Sequence, residues 1–484
     1  MTDRPNDGCE PALADDAPSR LTPLFLALGP LVALVTGWIA LEVWQLSTPA
    51  SVVAAVTAWC AVWWLTEPVP IPVTSLLPMA LLPLGGALTP TQVAQSYGSP
   101  LILLLMGGFM LSGALAKSGA HRRLALVMIH ACAKLGQRGL VLGFMLAAAF
   151  LSMWISNTAT TLMLLPVALA VLEDKRFVPL TIPLLLGIAY SASLGGTGTP
   201  IGTPPNLVYM QVVNDQFGTT TSFPLWMSWG LPVVLIMLPL MFLWLTRRVA
   251  SGALPAMERP GAWQVAEKRV MIVFVITAAL WMTRTAPFGG WQAALDLPYA
   301  NDAAVAMLAV VALCCIPSGK RDANGNRTAE RLLDWETAGR IPWGVLILFA
   351  GGITIARGFI ETGLSDAVAT QLTALATLPP WLMVLSIALG VTFLTEMTSN
   401  TATSSLLMPV LAATAIASEV PPELLMVPAA ISASCAFMLP VATAPNAVIY
   451  GSGRVPIRTM AAEGFVMNLI GAAVITAVVV VRFG

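Results

Sequence analysis

Charge is what this 484-residue chain has least of: Asp, Glu, Lys and Arg make up 10% of it, against 57% hydrophobic residues and a mean hydropathy of +0.81. Soluble domains carry about a quarter charged residues. A chain this apolar cannot cover a water-facing surface, which points to an all-α polytopic membrane protein. The 24 basic and 24 acidic side chains cancel, so no basic field for nucleic acid exists. Histidine is almost missing, with two residues, and the six cysteines show no C-x-x-C spacing. This excludes a zinc cluster and leaves the cysteines as small apolar packing residues. His121 and His130 fall in a basic segment expected to be a loop, with no metal role. Residues 1–22 carry Asp3, Asp7, Glu10, Asp15 and Asp16, not the basic start of a signal peptide. They read as a cytoplasmic tail.

What is present is long apolar runs. A membrane-crossing helix needs about 20 such residues. The runs at 24–43, 49–66, 72–88, 99–116, 225–246, 270–288, 302–317, 343–360 and 463–482 fit that length. Of the 24 basic residues, 21 sit on the N-terminal tail or in the segments 117–138, 173–176, 247–269, 320–340 and 454–458. By the positive-inside rule these segments and the N-terminus face the cytoplasm, and the C-terminus faces outward, in a cell inner membrane. Trp44, Trp226, Trp229, Trp343 and Trp381 lie near span ends and fit the interfacial belt.

Three apolar stretches do not fit single spans: 139–173, 177–213 and 379–450. A continuous helix over 139–173 would be about 52 Å long, well beyond a hydrocarbon core of about 30 Å. "SNTATT" (156–161) starts at its midpoint, and Lys134, Arg138, Lys175 and Arg176 flank both ends. A segment with both ends on one side is a re-entrant hairpin. "SNTATS" (399–404) sits likewise in 381–417, flanked by Glu361, Asp366, Glu419 and Glu423, so that hairpin enters from outside. Each hairpin precedes a broken apolar stretch, interrupted by "GGTGTPIGTPPN" (195–206) in 177–213 and by "LPVATAPN" (439–446) in 424–450. Gly and Pro at this density stop a helix, and irregular backbone at membrane depth survives only where it is buried or lines a cavity.

The landmarks repeat in order. Gly107 and Gly351 are 244 residues apart, Ser156 and Ser399 are 243 apart, and Asn206 and Asn446 are 240 apart. Opposed hairpins make the two copies inverted repeats, a plan that places a binding site at mid-membrane. The expected organisation is a tail (1–22), a first span and first repeat (23–246), a cytoplasmic linker (247–269) and a second repeat (270–484), with about eleven crossings plus two hairpins.

A single Ser, Thr or Asn in a span usually bonds a neighbouring helix. Two "SNT" triplets at the centres of opposed hairpins are better read as a site. Their oxygens suit a hard cation, and their N–H and O–H groups suit an anion. A helix starting at the tip adds its positive end. No Lys or Arg lies in either tip or either break, so a dianion bound there calls for mobile cations, with sodium the natural choice. Glu396 is an acid inside a span and so a functional candidate, as a proton site or as a group that orients the tip. Glu42, Glu67 and Arg357 read as snorkelling side chains. No nucleophile–base pair appears in the spans, which argues against an enzyme.

The paired "SNT" triplets, "GTPIGTPPN" and "SASCAFMLPVATAPNAVIYGSG" (432–453) resemble the divalent anion/sodium symporter family, whose members carry di- and tricarboxylates or sulfate. The resemblance covers essentially the whole chain. It implies a homodimer in the lipid bilayer, with a mobile transport domain moving as an elevator against a scaffold. It implies one sodium site at Ser152, Ser156, Asn157 and Gly202, and a second at Thr395, Thr398, Asn400 and Ala442. Substrate carboxylates would lie between the tips at Asn157, Thr158, Thr203, Asn400, Thr401 and Thr443. Ala444 stands where members often have proline. The expected function is sodium-coupled symport of a small divalent anion, a C4-dicarboxylate foremost. A sodium-independent exchanger, a sulfate or citrate carrier and a proton-coupled antiporter are the rivals.

Overall fold

A computed structural model describes residues 22–249, 252, 261–285, 289–320, 328–365, 367 and 378–484. Residues 1–21 of the tail expected over 1–22, Asp366 and part of the linker 247–269 lie outside the described residues. Among those described, secondary structure is helical apart from one isolated bridge, Pro317 with Arg331. Among the described residues, eight helices are long and apolar enough to cross a membrane, and five further apolar helices run 10–17 residues besides the split segment Ile71–Leu84.

Helices stop and restart where the sequence placed hairpins and breaks. The first hairpin is Gly136–Ser152 and Asn157–Leu172, and the second is Pro380–Thr395 and Asn400–Ala417. The first broken helix is Thr181–Gly195 and Pro204–Phe217, and the second is Pro422–Ala433 and Ala444–Gly451. Each hairpin packs on the broken helix that follows it. The halves also interlock: Asn400–Ala417 packs on Pro204–Phe217, and Ala444–Gly451 packs on Asn157–Leu172. Most buried apolar residues form one core around these elements. A second core joins Thr48–Thr66, Leu77–Leu84 and Trp343–Glu361, and it reaches the second hairpin through Ala402.

Two expectations are corrected. The run 72–88 is no single span, since Ile71–Thr74 and Leu77–Leu84 are separate helices. Pro78 has no N–H for the carbonyl of Thr74. That carbonyl faces Cys60 Sγ at 3.9 Å, and the carbonyl of Ser75 accepts from Tyr97 Oη at 2.7 Å. The freed carbonyls are thus satisfied by tertiary partners. A Cβ on Gly351 would stand 2.7 Å from Ser75 O, so glycine at this position admits the bend. The basic segment 117–138 is not a loop either, because Ala120–Ala133 is a helix bearing His121 and His130. Its buried positions Ala125, Leu126, Ile129 and Ala133 share one helical face. Gly139 and Gly143 let the first hairpin press against that face at Cys132 and Ile129.

Candidate functional site

The two tips are built alike. Ser152 ends the inward arm of the first hairpin, and its Oγ donates to Asn157 Oδ1 at 2.6 Å. Thr395 ends the inward arm of the second, and its Oγ1 bonds Asn400 Oδ1 at 2.8 Å and Ala433 O at 3.0 Å. Each asparagine starts the returning helix. Ser156 caps the first by accepting from Ala159 N at 3.2 Å.

The breaks are also alike. Asn206 Nδ2 donates to Gly196 O at 3.0 Å and Thr199 O at 2.7 Å, ten and seven residues earlier. Asn446 Nδ2 donates to Ala436 O at 3.3 Å and Leu439 O at 3.0 Å, again ten and seven earlier. Each buried amide therefore satisfies carbonyls that the interrupted helix leaves free. The returning pieces start with Pro204–Pro205 and with Ala444–Pro445. Proline is cheap at the first turn of a helix, and Pro445 keeps this in the second half despite Ala444.

Tips and breaks meet at one cavity of about 610 Å³. Ten of the twelve residues expected from sequence line it: Ser156, Asn157, Thr158, Gly202 and Thr203 from the first half, and Thr398, Asn400, Thr401, Ala442 and Thr443 from the second. Ser152 and Thr395 do not line it. Both are fully buried and reach it through their asparagines. Four helices begin on the cavity wall, at Asn157, Pro204, Asn400 and Ala444. Four positive helix ends in one pocket suit an anion without any fixed cation from the tips.

The residues also fit a hard cation in the first half. A Cβ placed on Gly196 would stand 2.9 Å from Asn157 Oδ1 and 3.0 Å from Gly202 O. Two oxygens thus face one small space that a side chain would fill. The second half differs, with Ala436 where the first has Gly196 and Thr398 where it has Ile155. Thr398 Oγ1 bonds Leu394 O at 3.0 Å and also pairs with Thr403 Oγ1.

Glu396 is 3% exposed and lies behind the second tip. Its carboxylate accepts from the backbone N–H groups of Phe437 (2.7 Å), Met438 (2.9 Å) and Leu439 (3.0 Å), and from Asn468 Nδ2 at 2.8 Å. Four donors aimed at one carboxylate engage both of its oxygens. Glu396 thus splints the tip to the second break. The first half bridges the same gap differently, with Thr199 Oγ1 donating to Met153 O.

Four contributors escaped the sequence reading. Ser434 Oγ meets Thr203 Oγ1 at 3.2 Å and joins the two halves beside the cavity. Asn468 completes the Glu396 splint. Glu67 and Arg340 line the cavity itself, although their positions along the chain suggested only snorkelling and a cytoplasmic segment. The offset of 231 residues between Thr203 and Ser434 breaks the repeat spacing, so no signal marked that pair.

A family model described as a citrate transporter matches residues 61–424. The chain belongs to the citrate-transporter family. Over 477 residues, 94% of this chain and 90% of the relative, it is 39% identical to the sodium-dependent dicarboxylate transporter SdcS of Staphylococcus saprophyticus, and equally to that of Staphylococcus aureus. These relatives agree with the symporter resemblance seen in the motifs, and they make the protein a membrane transporter rather than an enzyme. Two solved structures share the fold. The YdaH transporter of Alcanivorax borkumensis matches 90% of this chain and 98% of its own at 15% identity and a TM-score of 0.60. MtrF of Neisseria gonorrhoeae, from a class of antimetabolite efflux pumps, matches 93% of this chain and 97% of its own at 11% identity and a TM-score of 0.58.

Proposed function

We propose that this protein is a sodium-coupled symporter of a small dicarboxylate of C4 length, such as succinate, malate or fumarate. The observation that carries the reading is the pair of matched tips, Ser152–Asn157 and Thr395–Asn400, set with four helix N-termini around one cavity. The relatives' sodium-dependent dicarboxylate transport supports it.

In this reading sodium is cargo. One ion is held by Ser152, Ser156, Asn157 and Gly202, and the other by Thr395, Thr398, Asn400 and Ala442. The asparagine amide oxygens face the cations. Their N–H groups, with the hydroxyls of Thr158, Thr203, Thr401 and Thr443, face the carboxylates. The anion binds well only once cations offset its charge, which is how coupling arises. Glu396 is taken up in fastening the tip to the second break, and the relatives' sodium dependence favours sodium as the driving ion. The two halves act as inverted repeats, the first over 23–246 and the second over 270–484. A homodimer in the inner membrane, with the N-terminus cytoplasmic and the C-terminus outside, moves the hairpins and broken helices as an elevator.

Purified protein in liposomes should take up labelled succinate only under an inward sodium gradient. Asn157→Ala and Asn400→Ala should each lower that uptake by at least tenfold while leaving expression and size-exclusion profile intact. Equal uptake without sodium, driven by internal dicarboxylate, would instead establish an exchanger.

A further inference from the structure

We propose that Arg340 and Glu67 form a charge filter on the wall of the tip cavity, with Arg340 drawing in the substrate anion and Glu67 limiting how much negative charge is accepted. The proposal rests on the dicarboxylate reading above and concerns which anions that cavity admits.

Arg340 and Glu67 supply the one cationic and the one anionic side chain among the residues lining the cavity. Neither belongs to a hairpin or a broken helix. Arg340 follows the short helix Trp335–Gly339, and Glu67 follows the span Thr48–Thr66. Both are exposed, and proline constrains the chain after each, at Pro342 and Pro68. The rest of the wall supplies neutral hydroxyls, amides and apolar groups. Its ability to rank anions by charge therefore falls to these two side chains.

Glu67 stands against the preference of its own backbone. It closes its helix in the left-handed region, at φ 45° and ψ 46°, with its N–H on Trp63 O at 2.9 Å. Glycine or asparagine is the cheap residue there. A glutamate costs free energy at this position. Glu67 lines the cavity of the anion site. Arg340 is available in the complementary sense. Its Nη2 bonds Glu336 Oε1 at 2.6 Å, with side chains 71% and 76% exposed. An exposed pair of this kind holds little free energy, so an incoming carboxylate can replace Glu336 on the guanidinium.

The electrostatics give a signed expectation. Attraction to Arg340 and repulsion from Glu67 both scale with ligand charge, and low-dielectric walls concentrate the field in the cavity. A monocarboxylate should feel the pair least, and a tricarboxylate most.

The test is succinate, lactate and citrate binding to the purified full-length protein in saturating sodium, read by calorimetry. Arg340→Gln should raise the succinate Kd by roughly three- to tenfold, and Arg340→Lys should restore most of the loss. Glu67→Gln should shift the Kd in the opposite direction and improve citrate more than succinate. Raising ionic strength with choline chloride at constant sodium should shrink both differences. A structural defect would not reverse sign between the two variants or respond to choline. Unchanged Kd values in both variants, or shifts of the same sign, would overturn the filter while leaving the symporter reading in place. Wild-type protein that binds no succinate in sodium would overturn both.

Discussion

At the scale of single residues, the site depends on where side chains are missing as much as on where they are present. Gly196 is the clearest case. Adding one methyl there places carbon about 3 Å from both Asn157 Oδ1 and Gly202 O, in the space a bare cation would share with them. Gly196→Ala should therefore raise the sodium concentration for half-maximal succinate uptake by at least fivefold. Its succinate affinity at saturating sodium should stay within about twofold of wild type. A sodium titration of uptake in liposomes separates the two, and an unchanged half-saturation would remove Gly196 from the cation site. Asn157 and Asn400 were legible in the sequence because small polar triplets stand out at the midpoint of an apolar run, and Ser152 and Thr395 only through the family resemblance. Ser434, Asn468, Glu67 and Arg340 were not. Each looks ordinary among its neighbours along the chain, and only partners 31 to several hundred residues away give it a role.

At the scale of elements, each break is backed by a later helix through a glycine. Gly230, on Phe223–Leu245, rests against the carbonyl of Thr197 in the first break, and Trp226 Nε1 donates to that same carbonyl at 2.9 Å. Gly464, on Ile457–Phe483, rests against the carbonyl of Phe437 in the second break. At either position a Cβ would collide with backbone, which cannot turn aside as a flexible side chain can. Gly230→Ala and Gly464→Ala should each cost about 1–3 kcal/mol of stability, seen as a lowered melting temperature in detergent. Both should also lose most sodium-driven uptake, because the displaced break carries Thr203 or Thr443. A melting temperature equal to wild type in either variant would mean the helix yields without strain. The hairpins and breaks themselves were legible, since length and Gly/Pro density act locally on helix formation. The split of 72–88 and the helix at 120–133 were only partly so. Pro72, Pro78 and Pro83 and the apolar face of Ala120–Ala133 mark both locally, but a long apolar run resembles a span and a cluster of basic residues resembles a loop.

At the scale of the whole molecule, the halves interlock across the cavity, so its wall is completed by residues from both. The proposed orientation gives a direct test. Val441 is 76% exposed and lines the cavity. In a chain whose native cysteines are replaced by serine, Val441→Cys should react with a membrane-impermeant maleimide faster from the cytoplasmic face of inside-out vesicles than from outside. Sodium with succinate should slow that reaction by several-fold. Faster labelling from outside would reverse the assigned orientation.

The sequence by itself determined the membrane class, the two hairpins and the two breaks, which follow from composition, run length and spacing, properties of short stretches and of their repetition. The twelve candidate site positions came through the family resemblance of its motifs. Only the tertiary structure decided that Glu396 is a splint, that Thr203 and Ser434 join the halves, and that Arg340 and Glu67 face the anion pocket. Those roles arise from contacts between distant segments, and a side chain's partners across a fold leave no mark in its immediate neighbours.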